Sequence, residues 1–189
     1  MSGNADFELV RNCLRGDQSA LAELVNRHQK PVFNAAFRLL GNREDAADAT
    51  QTTFLKVFEH LDDFNPKYKL FSWVYRIAIN ESLGQLRRRK PQEELADTLV
   101  SSGHSPEQQC ESNDLSATVQ ASMMQLSDEY RTVVVMKHFS GFSYREISEV
   151  LDIPEKTVKS RLYSARQILK QSLQQSDYAP YSEPTGDPT

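Results

Sequence analysis

Two passages of this 189-residue chain hold residue types whose spacing could recognise nucleic acid. In the first, Phe71-Ser-Trp-Val-Tyr75 sets three aromatic side chains at the start of a helical run that ends in Arg87-Arg-Arg-Lys90. Aromatic faces stack on unpaired bases and cations follow the backbone phosphates. The same residues equally suit a core tryptophan and a solubilising basic helix end, which the helix dipole favours. Composition leaves the two readings even. In the second passage, Ser143-Tyr-Arg-Glu146 has the form of a capping box, with Ser hydroxyl and Glu carboxylate each meeting the other's backbone amide. Ile147, Val150 and Leu151 follow as a short apolar face, Asp152 occupies a tight turn, and Pro154 stands at a natural first helical position. Val158, Leu162, Ala165 and Leu169 then form one helical stripe. Together these make a helix-turn-helix. Opposite Val158 and Leu162 lie Lys156, Ser160, Tyr163 and Ser164, flanked by Lys159 and Lys170, a face suited to the major groove of DNA. Cap, turn, proline and basic face coincide, which favours DNA recognition over a solvated bundle face.

Other chemistry finds little support. His28, His60, His104 and His138 show no metal-ligand spacing, and Cys13 and Cys110 are too few for a disulfide framework or a cysteine-based zinc site. They read as reduced structural cysteines. No nucleophile elbow or glycine-rich phosphate loop is present, so neither an enzyme nor a cofactor is expected. The longest purely aliphatic stretch is Val133–Met136, which rules out a transmembrane helix, and the acidic start lacks the pattern of a secretory signal. The expected location is the cytoplasm.

The elements that must position these residues are helices throughout. Leu9, Val10, Cys13 and Leu14 form a first stripe. Ser19 is expected to cap a second helix through Leu21, Leu24 and Val25, and Val32, Phe33, Ala36, Phe37 and Leu40 form the next segment, closed by Gly41. Asn42 caps a helix expected to turn Ala47, Thr50, Phe54, Val57, Phe58 and Leu61 inward, leaving Asp45, Asp48, Gln51, Thr52, Lys56 and Glu59 on its surface. Asn65-Pro66 breaks the chain before the Phe71–Lys90 helix, whose inner positions are Val74, Ile77, Ala78 and Leu86. A helix from about Ser127 to His138 precedes the helix-turn-helix.

Charge divides the chain further. The net charge of −4 hides 14 basic and 11 acidic residues in 1–90, eight acids and no base in 91–129, and eight basic against four acidic in 130–175. The fold class expected is all-α: two small helical domains, at 1–90 and 113–175, joined by a flexible acidic linker at 91–112. The proline-containing tail 176–189 reads as disordered.

The chain resembles the bacterial extracytoplasmic-function (ECF) sigma factors from about Asp6 to Leu173. The resemblance rests on Leu39-Leu-Gly41 with Asp45-Ala-Ala-Asp-Ala-Thr-Gln51 and Phe54-Leu, on Phe71-Ser-Trp-Val-Tyr-Arg-Ile-Ala-Ile-Asn80 with Arg87–Arg89, and on Tyr130-Arg131, Phe142–Ile147 and Thr157–Leu162 with Ala165-Arg166. It implies an alternative sigma factor that binds core RNA polymerase and directs it to promoter DNA, duplex at the −35 element and single-stranded at the −10. By position, Asp48 and Gln51 would contact the polymerase, with Asp45, Thr52 and Lys56 nearby. Asn80 would help capture a flipped −10 base, Trp73 would support melting, and Arg76, Arg87, Arg88 and Arg89 would grip phosphates. Lys156, Lys159, Ser160, Arg161, Tyr163 and Ser164 would read the −35 element, although Arg161 projects nearer the packed side, where a phosphate or a carboxylate partner is expected. The family also implies an anti-sigma factor. In the polymerase's RNA path the acidic linker would either imitate nucleic acid or serve as a spacer.

Some positions depart from the family pattern. Thr52 replaces a frequent acid, Gly84 a usual Asp, Ser127 a common Pro and Asp152 a common Gly, and Lys67-Tyr-Lys69 is an unusual filling for the loop that should hold the flipped base. A stand-alone helix-turn-helix regulator is the alternative reading, but it leaves Asp48, Gln51 and Asn80 without a role.

Overall fold

The computed structural model describes residues 2–96 and 114–175. The first four helices are α1 (Ser2–Leu14), α2 (Gln18–Leu40), α3 (Arg43–Glu59) and α4 (Leu70–Ala96). The next four are α5 (Asp114–Met124), α6 (Asp128–Val134), α7 (Tyr144–Leu151) and α8 (Glu155–Gln175). A 3-10 turn at Leu61–Asp63 follows α3, and a π-helical turn at Val135–Phe139 continues α6. Among the described residues there is no strand, and no helix is long and apolar enough to cross a membrane.

Short polar caps set most boundaries. Asp17, and not Ser19, caps α2: its Oδ1 accepts the amides of Ser19 at 2.9 Å and Ala20 at 3.3 Å. The carboxylate accepts both donors at once and also the Ser19 hydroxyl. The two segments expected between residues 19 and 40 are one helix, with Pro31 inside it. An interior proline costs about 3 kcal/mol, offset here because Leu24 before it and Val32, Ala36 and Leu39 after it are all buried along one continuous face. Gly41 ends α2 in the left-handed region at φ 71°, and Asn42 caps α3 through the amides of Glu44 and Asp45. Ser127, where the family often has Pro, caps α6 by accepting the Tyr130 amide. Helix α4 runs on to Ala96, past the expected start of the linker at 91, because Gln92 to Ala96 are strong helix formers. The rest of the linker and the tail lie outside the described residues.

The first module packs α1, α3 and α4 around α2, with Leu24, Val32, Val57, Leu70 and Val74 fully buried. Small residues on facing helices, Ala36 with Ala46 and Ala49, bring α2 and α3 close together. The second module does not stand apart. Ala35, Leu39, Tyr75 and Ile79 of the first share one apolar cluster with Met123, Val133, Met136, Phe142, Ile147 and Leu162 of the second.

Candidate nucleic-acid interface and the groove behind it

The helix-turn-helix forms as its local sequence dictates. The Ser143 amide donates to Glu146 Oε2 at 2.9 Å and the Glu146 amide to Ser143 Oγ at 3.2 Å, completing the capping box. Asp152 closes α7 in the left-handed region at φ 54°, and the Ser148 hydroxyl donates to the Ile153 carbonyl at 2.5 Å, holding the turn. Val158, Leu162 and Ala165 then bury one face of α8. The opposite face presents Lys156, Lys159, Ser160 and Tyr163 to solvent, with Tyr163 67% exposed and Ser164 half-buried. Lys159 and Lys137 flank the Tyr144 ring, at 5.8 and 4.9 Å from its centre. Arg161 turns aside from this face and pairs with Glu129 at 2.8 Å.

The aromatic passage at the start of α4 is mostly packed. Tyr75 is fully buried, and Phe71 lies between Tyr75 at 5.2 Å and Phe142 at 5.4 Å. Burial pushes the Tyr75 hydroxyl up to about 12, against the smaller opposing effect of its hydrogen bond with Ser140. Trp73 is half-buried and meets Phe64 edge-on at 5.7 Å. Arg76, Asn80 and Arg87 stand on the exposed side of the helix. Arg88 and Arg89 are tied to carboxylates: Arg88, still exposed, donates to Glu81 at 3.1 Å, and Arg89 forms an ion pair with Asp45. Lys56 reaches the same Glu81 at 2.5 Å. Burial raises the Glu81 carboxyl, but the hydrogen bonds from Lys56 and Arg88 outweigh it and hold the group below its ordinary range. Asp45 and Lys56, expected on the polymerase-facing surface, thus cross-link α3 to α4.

On the other side of α3 an open groove of about 870 Å³ runs between α2 and α3. Its walls include Val25, Phe33, Ala47, Phe54, Leu55 and Phe58, with Asp48 and Gln51 on it as well. The inward face expected for α3 is corrected here. Ala46, Ala49, Thr53, Phe54 and Val57 are buried, whereas Ala47 and Phe58 are exposed and Thr50 is half-buried. The small alanines win the interior because α2 approaches closely there, and Thr53 is tolerated inside because its hydroxyl donates to the Ala49 carbonyl at 2.6 Å. The larger Leu55 and Phe58 are left 58% and 38% exposed. Exposed apolar side chains are gathered here in one groove, rimmed by Asp48, Gln51, Lys30 and Arg43. Thr52 is half-buried beside it. The periodicity read from the sequence turns Phe58 inward and does not single out Leu55, whereas the buried stripe of α3 runs through Ala46, Ala49, Thr53 and Val57. Among the described residues no cluster of His, Cys, Asp or Glu could hold a metal ion.

A helical module with an exposed apolar groove, packed against a helix-turn-helix module with an open basic face, has the architecture of a helix-turn-helix DNA-binding protein. Residues 24–92 match the family described as "Sigma-70 region 2", and residues 116–169 match "Sigma-70, region 4". The chain is 34% identical over 176 residues to the ECF RNA polymerase sigma factor SigW of Bacillus subtilis (strain 168), covering 87% of this chain and 94% of that one. It is 36% identical over 180 residues to the ECF RNA polymerase sigma factor SigE of Mycolicibacterium smegmatis, covering 91% and 68%. Two solved structures share the fold at a TM-score of 0.69: the sigma factor RpoE of Bartonella quintana with the anti-sigma factor NepR (25% identity; 81% and 96% covered), and CnrH with the cytosolic domain of CnrY (28%; 91% and 99%). The chain belongs to the ECF sigma factors, alternative sigma factors that direct RNA polymerase to promoters.

Proposed function

We propose that the α2–α3 groove is the surface that binds core RNA polymerase, that the outer face of α8 reads the −35 element, and that the exposed side of α4 reads the −10 element. The observation that carries the first part is Asp48 and Gln51 standing beside the exposed Leu55 and Phe58 in one groove. An apolar floor with polar hydrogen-bonding groups at its rim is the arrangement that gives an interface both affinity and register. On α8, Lys156 and Lys159 meet phosphates while Ser160, Tyr163 and Ser164 reach base edges. Arg161 acts indirectly, by bracing α8 against α6 through Glu129. On α4, Arg76 and Arg87 meet phosphates, Asn80 hydrogen-bonds the edge of an extruded base, and Trp73 supports the melted strand. The protein acts in the cytoplasm and performs no chemistry of its own. An anti-sigma factor is a further partner: RpoE of Bartonella quintana forms a complex with the anti-sigma factor NepR, and CnrH forms one with the cytosolic domain of CnrY.

The test is binding of the purified chain to core polymerase by size exclusion, beside Asp48→Arg, Gln51→Ala and Leu55→Glu variants. A stable complex weakened by each substitution supports the reading. No complex from a folded chain sinks it in favour of a stand-alone DNA-binding regulator.

A further inference from the structure

The start of α4 has no cap of its own. Its first residue, Leu70, follows Lys69, an ammonium that can only donate hydrogen bonds. The amides that a helix N-terminus leaves open therefore need an acceptor from elsewhere, and α1 supplies it. Asp6 Oδ2 accepts the Leu70 amide at 3.4 Å, from 64 positions away in sequence. The carboxylate also stands at the positive end of the α4 dipole. Its other oxygen, Oδ1, meets Arg27 of α2 at 3.3 Å, and Arg27 pairs in turn with Glu23 on its own helix. The Asp6 side chain is only 18% exposed, so it is fixed between two partners and largely sheltered from water. On the next residue of each neighbouring helix, His28 packs on Phe71 with ring centroids 5.9 Å apart.

The apolar side of α1 supports both ends of the loop at 64–69. Leu9, Val10 and Cys13 are buried in the same cluster as Phe64 at its entry and Leu70 at its exit. Within the loop, Asn65 Oδ1 accepts the Lys67 amide at 3.0 Å, and the Asn65 carbonyl accepts the Tyr68 amide at 3.1 Å. Phe64 meets Trp73 edge-on, and the Lys69 carbonyl accepts the Trp73 amide at 3.2 Å. The loop is thus held at both ends and tied in the middle, while Lys67 and Tyr68 remain exposed. A cation and an aromatic ring, presented at the end of α4 that carries Trp73, suit the phosphates and unstacked bases of a single strand.

We infer that Asp6 is a positioning residue for −10 recognition: by accepting the Leu70 amide it sets where the loop joins α4, and so where Lys67, Tyr68 and Trp73 stand relative to Asn80. This rests on the reading of α4 proposed above. Side chains on a loop discriminate between bases only as well as the loop itself is held. Without the Asp6 acceptor the junction gains freedom, and a wrong base is accommodated more easily. Selectivity at the −10 element then falls while attachment to polymerase, through the groove between α2 and α3, is unaffected. Helix α1 acts on the promoter through α4, without touching DNA.

The test is transcription in vitro by core polymerase with the full-length chain, on a promoter library randomised at both elements. A barcode in each transcript reports the template it came from. The parent, Asp6→Ala and Asp6→Asn are compared at a temperature below all their melting transitions. Asp6→Ala is expected to lower base enrichment at the −10 element by roughly threefold or more, with enrichment at −35 and binding to core polymerase unchanged. Asp6→Asn keeps an oxygen for the Leu70 amide and should retain part of the −10 enrichment. A −10 profile in Asp6→Ala as sharp as the parent's overturns the inference, even if its Tm falls. Equal flattening at both elements overturns it too, since that marks a general loosening of the fold, and so does an Asp6→Asn profile no sharper than that of Asp6→Ala. A parent chain that binds polymerase but enriches no −10 sequence sinks the proposed reading of α4, and the inference with it.

Discussion

The Arg131 guanidinium of the second module is 95% buried and donates to the Leu39 carbonyl of the first at 2.5 Å, while its other nitrogens reach the carbonyls of Met123, Met124 and Leu126. One planar side chain thus closes the ends of two helices, α2 and α5. Buried arginine is tolerated only when its donors are used up this way, and the negative ends of the helix dipoles favour the charge.

Replacing Arg131 by Met keeps much of the volume but leaves those carbonyls without their donor. The expected cost is about 2–4 kcal/mol, read as a lowered urea midpoint. Arg131→Lys should fall between, since a single ammonium cannot serve four divergent acceptors. A Met variant as stable as the parent would show that the carbonyls find other partners.

Acid should loosen the helix-turn-helix and its docking together. The Lys69 hydrogen bond first, then the Ser143 amide, hold the Glu146 carboxyl down at about 2 from an ordinary 4.5. A depressed carboxyl gives stability that is present above 4.5 and lost as pH falls toward 2. Urea midpoints measured across that range should fall less steeply in Lys69→Met than in the parent. Parallel curves would mean that the pair contributes nothing in solution.

Gly84 is a helix-interior glycine with room for a side chain. An added Cβ would meet only the ends of flexible arginines, Arg88 Nη1 at 3.7 Å and Arg87 Nη2 at 3.9 Å. Gly84→Ala is expected to stabilise the chain by up to about 1 kcal/mol, or roughly 2–4 °C in Tm. A drop in Tm would reveal a close approach at this position that the geometry does not contain.

On the function proposed above, the outer face of α8 divides attachment from reading. Lys156→Ala should weaken binding to −35 duplex about equally across sequences and lower the salt slope by about one. Tyr163→Ala should instead change the relative preference among sequences with little change in slope. Fluorescence anisotropy on a panel of duplexes at several salt concentrations distinguishes these outcomes, and identical profiles for the two variants would remove the division of labour.

What could be read without a fold was what depends on neighbours within one helical turn. Ser143 and Glu146 sit three residues apart, so their capping box is written in four letters, as is the Asn42 cap of α3. Asp152 was legible as the left-handed turn residue because a short polar side chain between two apolar stripes has few other uses. Asp17 was passed over for Ser19 since both can cap and only the built turn shows which oxygen faces the open amides. The two segments expected between residues 19 and 40 are one helix for a related reason: the local cost of Pro31 is offset by a buried face assembled from α3 and α4.

The sequence by itself determined an all-helical, two-module chain with a helix-turn-helix and an exposed basic face, because periodicity, caps and charge act over a few residues. Only the tertiary structure decided which face of α3 remains exposed, that Asp45 and Lys56 pair with α4, and that Arg131 and Lys69 bind the modules together. Those outcomes depend on contacts between residues from 25 to 92 positions apart, as in Lys56–Glu81 and Arg131–Leu39. Such contacts are set by how closely small side chains let helices approach and by which buried carbonyls lack a donor. Neither quantity exists until the helices have packed.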